Sequence, residues 1–334
     1  MPRPPSVTVR VMTPDDAPVA ADLLARRQRR LRRVRTELSG DHESASAWTD
    51  AVAALLERPG AHGVIGLVDD ASIGFLAGFE RHEAIWGRAC WSPIEGSALA
   101  DGADPELIRD LYAAWSEHFV RRGFFRHYVH VAADDPDLLA AWVRTGFGVM
   151  QAHALRGLDL SAADPPPGMT IRRATLDDLG LLEPLLPLIG EALQQAPAYA
   201  ITLPEGFAAY RPGWEEALVD AEAHHWVALE DGRAVACASL YEGAHGPMAP
   251  AGAWQLATAM TLPEERGRGL MRALLSAAFA EARQAGATAC VTDWRTAWLP
   301  AHRSWTALGF VPTHYRLHRH VDERIAWTAR TPGR

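Results

Sequence analysis

Apolar positions along the chain follow two periods, and the second half shows both most clearly. His225 to Glu230 and Arg233 to Leu240 are apolar-rich runs of strand length flanking Asp231-Gly232, a dipeptide suited to the left-handed turn of a tight hairpin. Trp254 to Thr261 reads as a third strand. A Gly-rich stretch follows, and then Leu270 to Gln284, where Leu270, Leu274 and Phe279 sit near helical spacing. Ala289 to Asp293 reads as a strand, Pro300 to Leu308 as a short helix closed by Gly309, and Phe310 to His320 as a final strand.

The pattern occurs twice. Val9-Arg10-Val11 leads through Thr13-Pro14 to Asp15-Asp16, and 162 residues later Ile171-Arg172-Arg173 leads through Thr175-Leu176 to Asp177-Asp178. At an offset of 163, Leu107, Arg109 and Leu111 match Leu270, Arg272 and Leu274, and Trp142 with Gly146-Phe147 matches Trp305 with Gly309-Phe310. Between the copies, Pro165-Pro166-Pro167 removes three backbone donors in a row. The expected organisation is two domains, 1–160 and 169–334, joined by a linker at 161–168. Each is α/β, a mixed and mostly antiparallel sheet flanked by helices.

Composition narrows the class. At about 150 residues per domain, 334 residues make roughly two domains. With 48% hydrophobic and 22% charged residues, the chain has the balance of a globular protein with a sizeable core. The formal charge is −8, and acids outnumber arginines in both halves, which excludes a basic nucleic-acid footprint by net charge and mildly favours a cationic small molecule. Three scattered cysteines write neither a disulfide framework nor a zinc knuckle, so no metal is expected. Met1-Pro2-Arg3-Pro4-Pro5 precedes no apolar segment, and no stretch is long enough to span a bilayer, so a cytoplasmic location is expected. The absence of lysine and asparagine, whose codons are AT-rich, points to a GC-rich bacterial genome.

The candidate chemistry lies at Pro263-Glu264-Glu265-Arg266-Gly267-Arg268-Gly269. A helix starting at Leu270 leaves its first N–H groups unpaired and partly positive, and glycines in the preceding turn clear the approach. That is a phosphate site, and Arg266 and Arg268 add charge suited to a pyrophosphate. The alternative is an ordinary strand-to-helix turn with solvated arginines.

The string from Leu262 to Leu275, followed by a strand, a short helix and Gly309-Phe310, resembles the GNAT superfamily of acyl-CoA transferases, and the repeat makes the chain resemble a tandem GNAT protein. The family's glycine motif falls on Arg266, Gly269 and Met271, with methionine departing from the usual Gly or Ala. The resemblance implies acetyl-CoA as co-substrate, with Gly267, Arg268, Gly269, Leu270, Met271 and Arg272 around its pyrophosphate. It also implies that the pantetheine arm pairs with backbone at Met260, Thr261 and Leu262, in a slot where two strands splay. An amine then attacks the thioester directly in a ternary complex, with a general base for the ammonium and a general acid for the thiolate.

The family's usual acid, a tyrosine four residues before the Gly-Phe pair, falls on Trp305, and its frequent asparagine falls on Trp298. Tryptophans there are expected along the pantetheine arm. The thiolate then leaves through water or Tyr315, or the domain binds CoA and turns over slowly. Asp293, at the end of its strand, is the expected base, with Glu242 and His245 as rivals.

At the offset of 163 the first half carries Asp101-Gly102-Ala103-Asp104-Pro105-Glu106, whose acids repel a phosphate and whose proline removes a donor. The N-terminal copy therefore reads as degenerate. Arg26 to Arg35 holds seven arginines in ten residues, but they spread over several faces and are bracketed by Asp22, Glu37 and Asp41, so a solvated or internally paired surface is expected rather than a nucleic-acid site. His314, His318 and His320 lack ligands at metal spacing, and His302 with Ser304 lacks the geometry of a nucleophilic pair. The expected function is N-acetyl transfer to an amine of a small molecule, by a monomer or homodimer without a membrane partner. The rival is an acyl-CoA-binding pseudoenzyme or sensor acting through a partner protein.

Overall fold

The computed structural model describes residues 7–328, so the stretch from Met1 to Pro5 lies outside the described residues. The first repeat contains β1 (Thr8–Val11), α1 (Ala17–Val34), α2 (Ser46–Glu57), β2 (His62–Val68), β3 (Ala71–Glu83), β4 (Gly87–Ser92), β5 (Ser97–Leu99), α3 (Leu107–Arg121), β6 (Arg126–Ala132), α4 (Pro136–Arg144) and β7 (Gly148–Gly157). The second contains β8 (Met169–Arg173), four short helices α5 (Leu179–Leu182), α6 (Leu188–Gln194), α7 (Pro204–Ala208) and α8 (Tyr210–Ala217), then β9 (Ala223–Glu230), β10 (Arg233–Ala244), β11 (Ala253–Thr261), α9 (Leu270–Gln284), β12 (Ala289–Arg295), α10 (Leu299–Ala307) and β13 (Val311–His320).

The hairpin between β9 and β10 turns on Asp231 and Gly232 at φ +50° and +81°, the left-handed pair such a turn requires. Each repeat opens on the same device. Arg10 and Asp16 form two hydrogen bonds of 2.8 and 2.6 Å, Arg172 and Asp178 form two of 2.7 Å, and in each case the aspartate also accepts from a threonine N–H, of Thr13 or Thr175. The guanidinium ties the end of the first strand to the start of the helix that follows.

The chain forms two compact units, and they differ from the sequence repeats. The first unit runs through Gln151 and takes up the chain again from Thr313; the second is Ala152–Pro312. The boundary falls away from the 161–168 linker: β13, the last strand of the second repeat, belongs to the first unit, and β7 runs from the first unit into the second. In the first unit the sheet order is β1-β2-β3-β4-β6-β13, with β5 on β3. All the pairings are antiparallel except β4 with β6. In the second the order is β7-β12-β11-β10-β9-β8, with β11 parallel to β12 and β8 to β11 antiparallel in sequence. β13 is held on β6 from His314↔Ala132 to His320↔Arg126.

Alternation along the strands loads both faces of the first sheet. Ile65, Phe75 and Ala77 pack with Leu24 and Trp48 of α1 and α2, while Val64 and Leu76 pack with Leu111, Trp115 and Phe119 of α3. In the second unit Val227, Val235 and Cys237 pack against Leu182, Leu270 and Leu274. Fully buried side chains of this size contribute roughly 1.5–3 kcal/mol each.

Candidate functional site

The second unit splits its sheet beside a glycine turn. β11 and β12 pair in parallel only at Trp254↔Cys290 and Gln255↔Val291. Beyond that, β11 stays on β10 as far as Thr261↔Ala236, while β12 runs on to Arg295. The Thr292 hydroxyl, donating to Leu256 O at 2.9 Å, marks the head of the split.

Backbone polarity along β11 is set by its other neighbour. The Leu262 N–H donates to Val235 O at 2.9 Å, and Met260 stands opposite Cys237, so Met260 and Leu262 turn their polar groups toward β10. Thr261, between them, turns its N–H and C=O to the split edge. Of the three expected backbone positions, Thr261 is thus the one whose own groups face the slot, whereas the side chains of Met260 and Leu262 are buried with Leu270 and Leu274.

At the mouth, Gly267 and Gly269 adopt φ +81° and +82°, and an added Cβ at either meets no atom within 4 Å. The open space is what a ligand's approach to the backbone needs; the positive φ is what restricts the positions to glycine. Among the described residues the N–H groups from Gly267 to Arg272 make no backbone hydrogen bond, and Ala273, bonded to Gly269 O at 3.1 Å, is the first residue of the helical ladder. Six successive donors at the start of α9 are therefore left without a backbone acceptor, where the helix end is partly positive.

The arginines divide their work in a way the motif does not reveal. Arg268 bonds Glu230 at 2.9 Å and also pairs with Glu265, which raises its pKa, chiefly through the bond to Glu230. Arg233 holds Glu265 at 2.7 Å and Glu264 at 3.4 Å. The Arg268 side chain thus pins the turn to the β9–β10 hairpin, while its backbone N–H has no backbone acceptor. Arg266, exposed, reaches Thr261 O at 3.4 Å, and Arg272 is exposed on the first turn of α9. Met271, at the position where the motif departs, is half-buried against the core rather than across the turn.

The expected proton carriers scatter. Asp293 is exposed on β12 between buried Thr292 and Trp294, so its carboxylate lies on the sheet face opposite theirs. Glu242 accepts from His224 at 2.8 Å, and His224 also meets Glu281 at 2.9 Å and lies 4.1 Å from the Trp254 ring, so Glu242 serves a clamp at the paired ends of the strands. His245 is exposed in the following loop. Tyr315 requires a correction: it sits on β13 opposite Val131, packed against the core of the first unit, because the last strand crosses over. Burial pushes its phenol up. Trp305 is buried edge-on to Phe310, with ring centroids 5.6 Å apart, and Trp298 caps the start of α10 half-buried. Cys237 and Cys290 are buried, and burial pushes both thiols up to about 12, which removes them as nucleophiles. No cluster among the described residues has the makings of a metal site.

The equivalent turn of the first unit is closed by its own chain. Asp104 accepts from Glu106 N–H at 2.9 Å, Leu107 N–H donates to Asp104 O at 3.0 Å, and Glu106 holds Arg109 at 2.7 Å and also pairs with Arg144. The arginine-rich helix is likewise spent internally: Arg26 pairs with Asp22, Arg30 with Asp101 and Arg32 with Glu43.

Comparisons with known proteins agree with this geometry. Residues 191–310, covering α6 through the slot, match the acetyltransferase (GNAT) family. An aminoalkylphosphonate N-acetyltransferase of Salmonella typhimurium is 30% identical over 156 residues, which is 46% of this chain and 92% of that protein. The fold of the whole chain resembles a GCN5-related N-acetyltransferase from Sphaerobacter thermophilus, at a TM-score of 0.55 and 17% identity, covering 94% of this chain and 95% of that one. It also resembles a tandem GNAT protein from the clavulanic acid biosynthesis pathway, at a TM-score of 0.50 and 16% identity, covering 95% and 99%. Split sheet, glycine turn and relatives converge, and the chain belongs to the GNAT family of acetyltransferases, which carry out acyl transfer from acetyl-CoA.

Proposed function

We propose that the second unit binds acetyl-CoA and transfers its acetyl group to an amine of a small molecule, while the first unit binds no CoA. The observation that carries this reading is the row of acceptor-free N–H groups from Gly267 to Arg272 at the mouth of the β11–β12 split. Those donors and exposed Arg266 and Arg272 fit a pyrophosphate, and the edge of Thr261 fits an amide-bearing arm. Acetyl-CoA supplies the activated acyl group; the chain supplies position, with the Thr261 N–H aimed where a carbonyl oxygen gains charge. Asp293, at the open end of β12, takes the proton of the ammonium in this reading. The amine attacks directly, since the buried cysteines offer no acyl carrier.

A second reading, acyl-CoA binding without rapid turnover, draws on Trp305, a buried indole where the family's usual acid stands. Calorimetric titration with acetyl-CoA, repeated with Gly269→Glu, tests the cofactor site: one equivalent bound by the parent and none by the variant is the expected result. CoA release is then followed with polyamines, aminoglycosides, amino acids and an aminoalkylphosphonate as acceptors. Release with one of them supports transfer; silence across the panel despite tight binding favours the sensor, and no binding at all removes both readings.

A further inference from the structure

One hairpin occurs twice in the chain, and its copies differ at a buried pair. Every register pair of β2–β3 from His62↔Gly78 to Val68↔Ala71 recurs 162 residues later in β9–β10, from His224↔Leu240 to Glu230↔Arg233, with the same shift of register near the turn. Where the first copy carries Gly63↔Ala77, the second carries His225↔Ser239. The first copy fills that place with apolar atoms: a Cβ on Gly63 would meet Met12 Sδ at 2.9 Å and Leu56 Cδ2 at 3.1 Å. The hairpin as such therefore has no need of a polar pair, and burying one costs desolvation that glycine and alanine avoid.

His225 is 3% exposed and Ser239 2%. His225 Nε2 lies 2.9 Å from Ala217 O, which only accepts, so Nε2 carries the proton; Nδ1, 2.8 Å from Ser239 Oγ, accepts from the hydroxyl. The ring is neutral in this arrangement, and burial lowers its pKa. Hydrogen bonds thus run from the last residue of α8 through His225 to Ser239, the residue of β10 that stands opposite Thr258. The next pair along is Leu240↔Leu256, which leaves Ala257 of β11 unopposed, a bulge in the strand. Since β11 parts from β12 beyond Gln255↔Val291, Ser239 lies behind the slot's wall where that wall first depends on β10 alone.

We infer that Ser239 and His225 are a positioning pair for acyl transfer: by anchoring β10 to the end of α8, they fix the bulged stretch of β11, Ala257 to Thr261, that walls the slot. The inference rests on the acetyl-transfer reading above. The pair backs the slot and not the turn from Gly267 to Arg272, so it governs turnover and leaves cofactor affinity to the turn. The first copy points the same way: its turn is closed by Asp104, its hairpin carries Gly63 and Ala77, and anchor and phosphate site are missing together.

The test uses Ser239→Ala in the full chain, a change to the residue type of the first copy, followed by CoA release with the acceptor that the panel identifies, calorimetry with acetyl-CoA and thermal melting. The expected result is a kcat lowered about tenfold or more, with acetyl-CoA affinity within about twofold of the parent and Tm within a few degrees. His225→Gln removes the acceptor of the Ser239 hydroxyl and is expected to lose as much, and the double variant no more than either, because residues that act as a unit fail together. Should His225→Gln not fold, Ser239→Ala decides alone. A parental kcat in Ser239→Ala overturns the inference, as does a loss of acetyl-CoA affinity as large as that of kcat, or losses that multiply in the double variant. A parent that turns over while Ser239→Ala matches it removes the positioning pair only; a parent that releases no CoA with any acceptor removes the transfer reading and this inference with it.

Discussion

The guanidinium of Arg268 and the carboxylate of Glu230 meet at 2.9 Å across 38 residues of sequence, binding the glycine turn to the tip of the β9–β10 hairpin. The pair fixes the turn and at the same time withholds a positive charge from whatever the turn binds. Glu230→Gln keeps the shape and removes the charge of one partner, with Glu265 still holding Arg268. Affinity for acetyl-CoA is expected to rise about two- to fivefold at low salt, the gain shrinking near 0.5 M salt as exposed charges are screened. Calorimetry at two ionic strengths checks this, and an unchanged affinity at both shows that Arg268 has no electrostatic reach to the ligand.

Gly269 is left-handed and surrounded by open space, so a methyl group there is penalised by backbone conformation alone. Gly269→Ala is expected to cost about 1–2 kcal/mol of stability, read from urea denaturation. A negligible loss shows that the turn relaxes to another conformation.

His127 is fully buried. Its Nε2 faces Phe124 O at 3.1 Å, an acceptor only, so Nε2 carries the proton and Nδ1 accepts from the Tyr112 hydroxyl at 2.7 Å. Burial pulls its pKa down to about 4, and that of His62 likewise. A histidine depressed in the folded state binds its proton more readily unfolded, so the fold loses stability as pH falls from about 6.5 toward 4. For His127 the loss is roughly 3 kcal/mol across that window. Denaturation midpoints at pH 7.5 and 4.5 measure it, and His127→Gln is expected to flatten the slope at the expense of stability at neutral pH.

Asp178 is held down to about 2 by its hydrogen bonds from Arg172, with the Thr175 N–H adding to them. Here the folded-state pKa lies below the unfolded one, so the contribution is complete above about pH 4 and disappears as pH falls through 2. Asp178→Asn is expected to lower stability at neutral pH and to remove part of the acid dependence below pH 4, which acid titration followed by circular dichroism resolves.

Asp293→Asn is expected to reduce turnover about a hundredfold and leave acetyl-CoA affinity intact. Unchanged turnover moves the base elsewhere.

Much of the fold was legible in the chain. Asp231-Gly232 turns as its residue types demand, α9 spans Leu270–Gln284 as its spacing predicts, and the paired Arg10–Asp16 and Arg172–Asp178 clasps stand at the repeat offset. The exchange of last strands was not, because a period of two assigns a residue to a face and says nothing of the neighbouring strand. That is why nothing in the sequence pairs Tyr315 with Val131 of the first repeat. Arg27 was hidden for a related reason: within a run of seven arginines nothing local distinguishes the one that turns inward, and its carbonyl partners lie 67 and 70 residues away. The tie between Arg268 and Glu230 is equally remote from the motif that contains Arg268.

The crossing of β7 and β13 makes the two repeats inseparable as pieces of gene. A fragment cut at the proline linker keeps β7, which belongs beside β12, and lacks β13, so β6 is left as a bare edge along seven residues, open to pairing with any extended chain. During synthesis the first unit must likewise wait, its sheet unfinished, until β13 has left the ribosome. The first unit's sheet is therefore completed only by a strand from the second repeat.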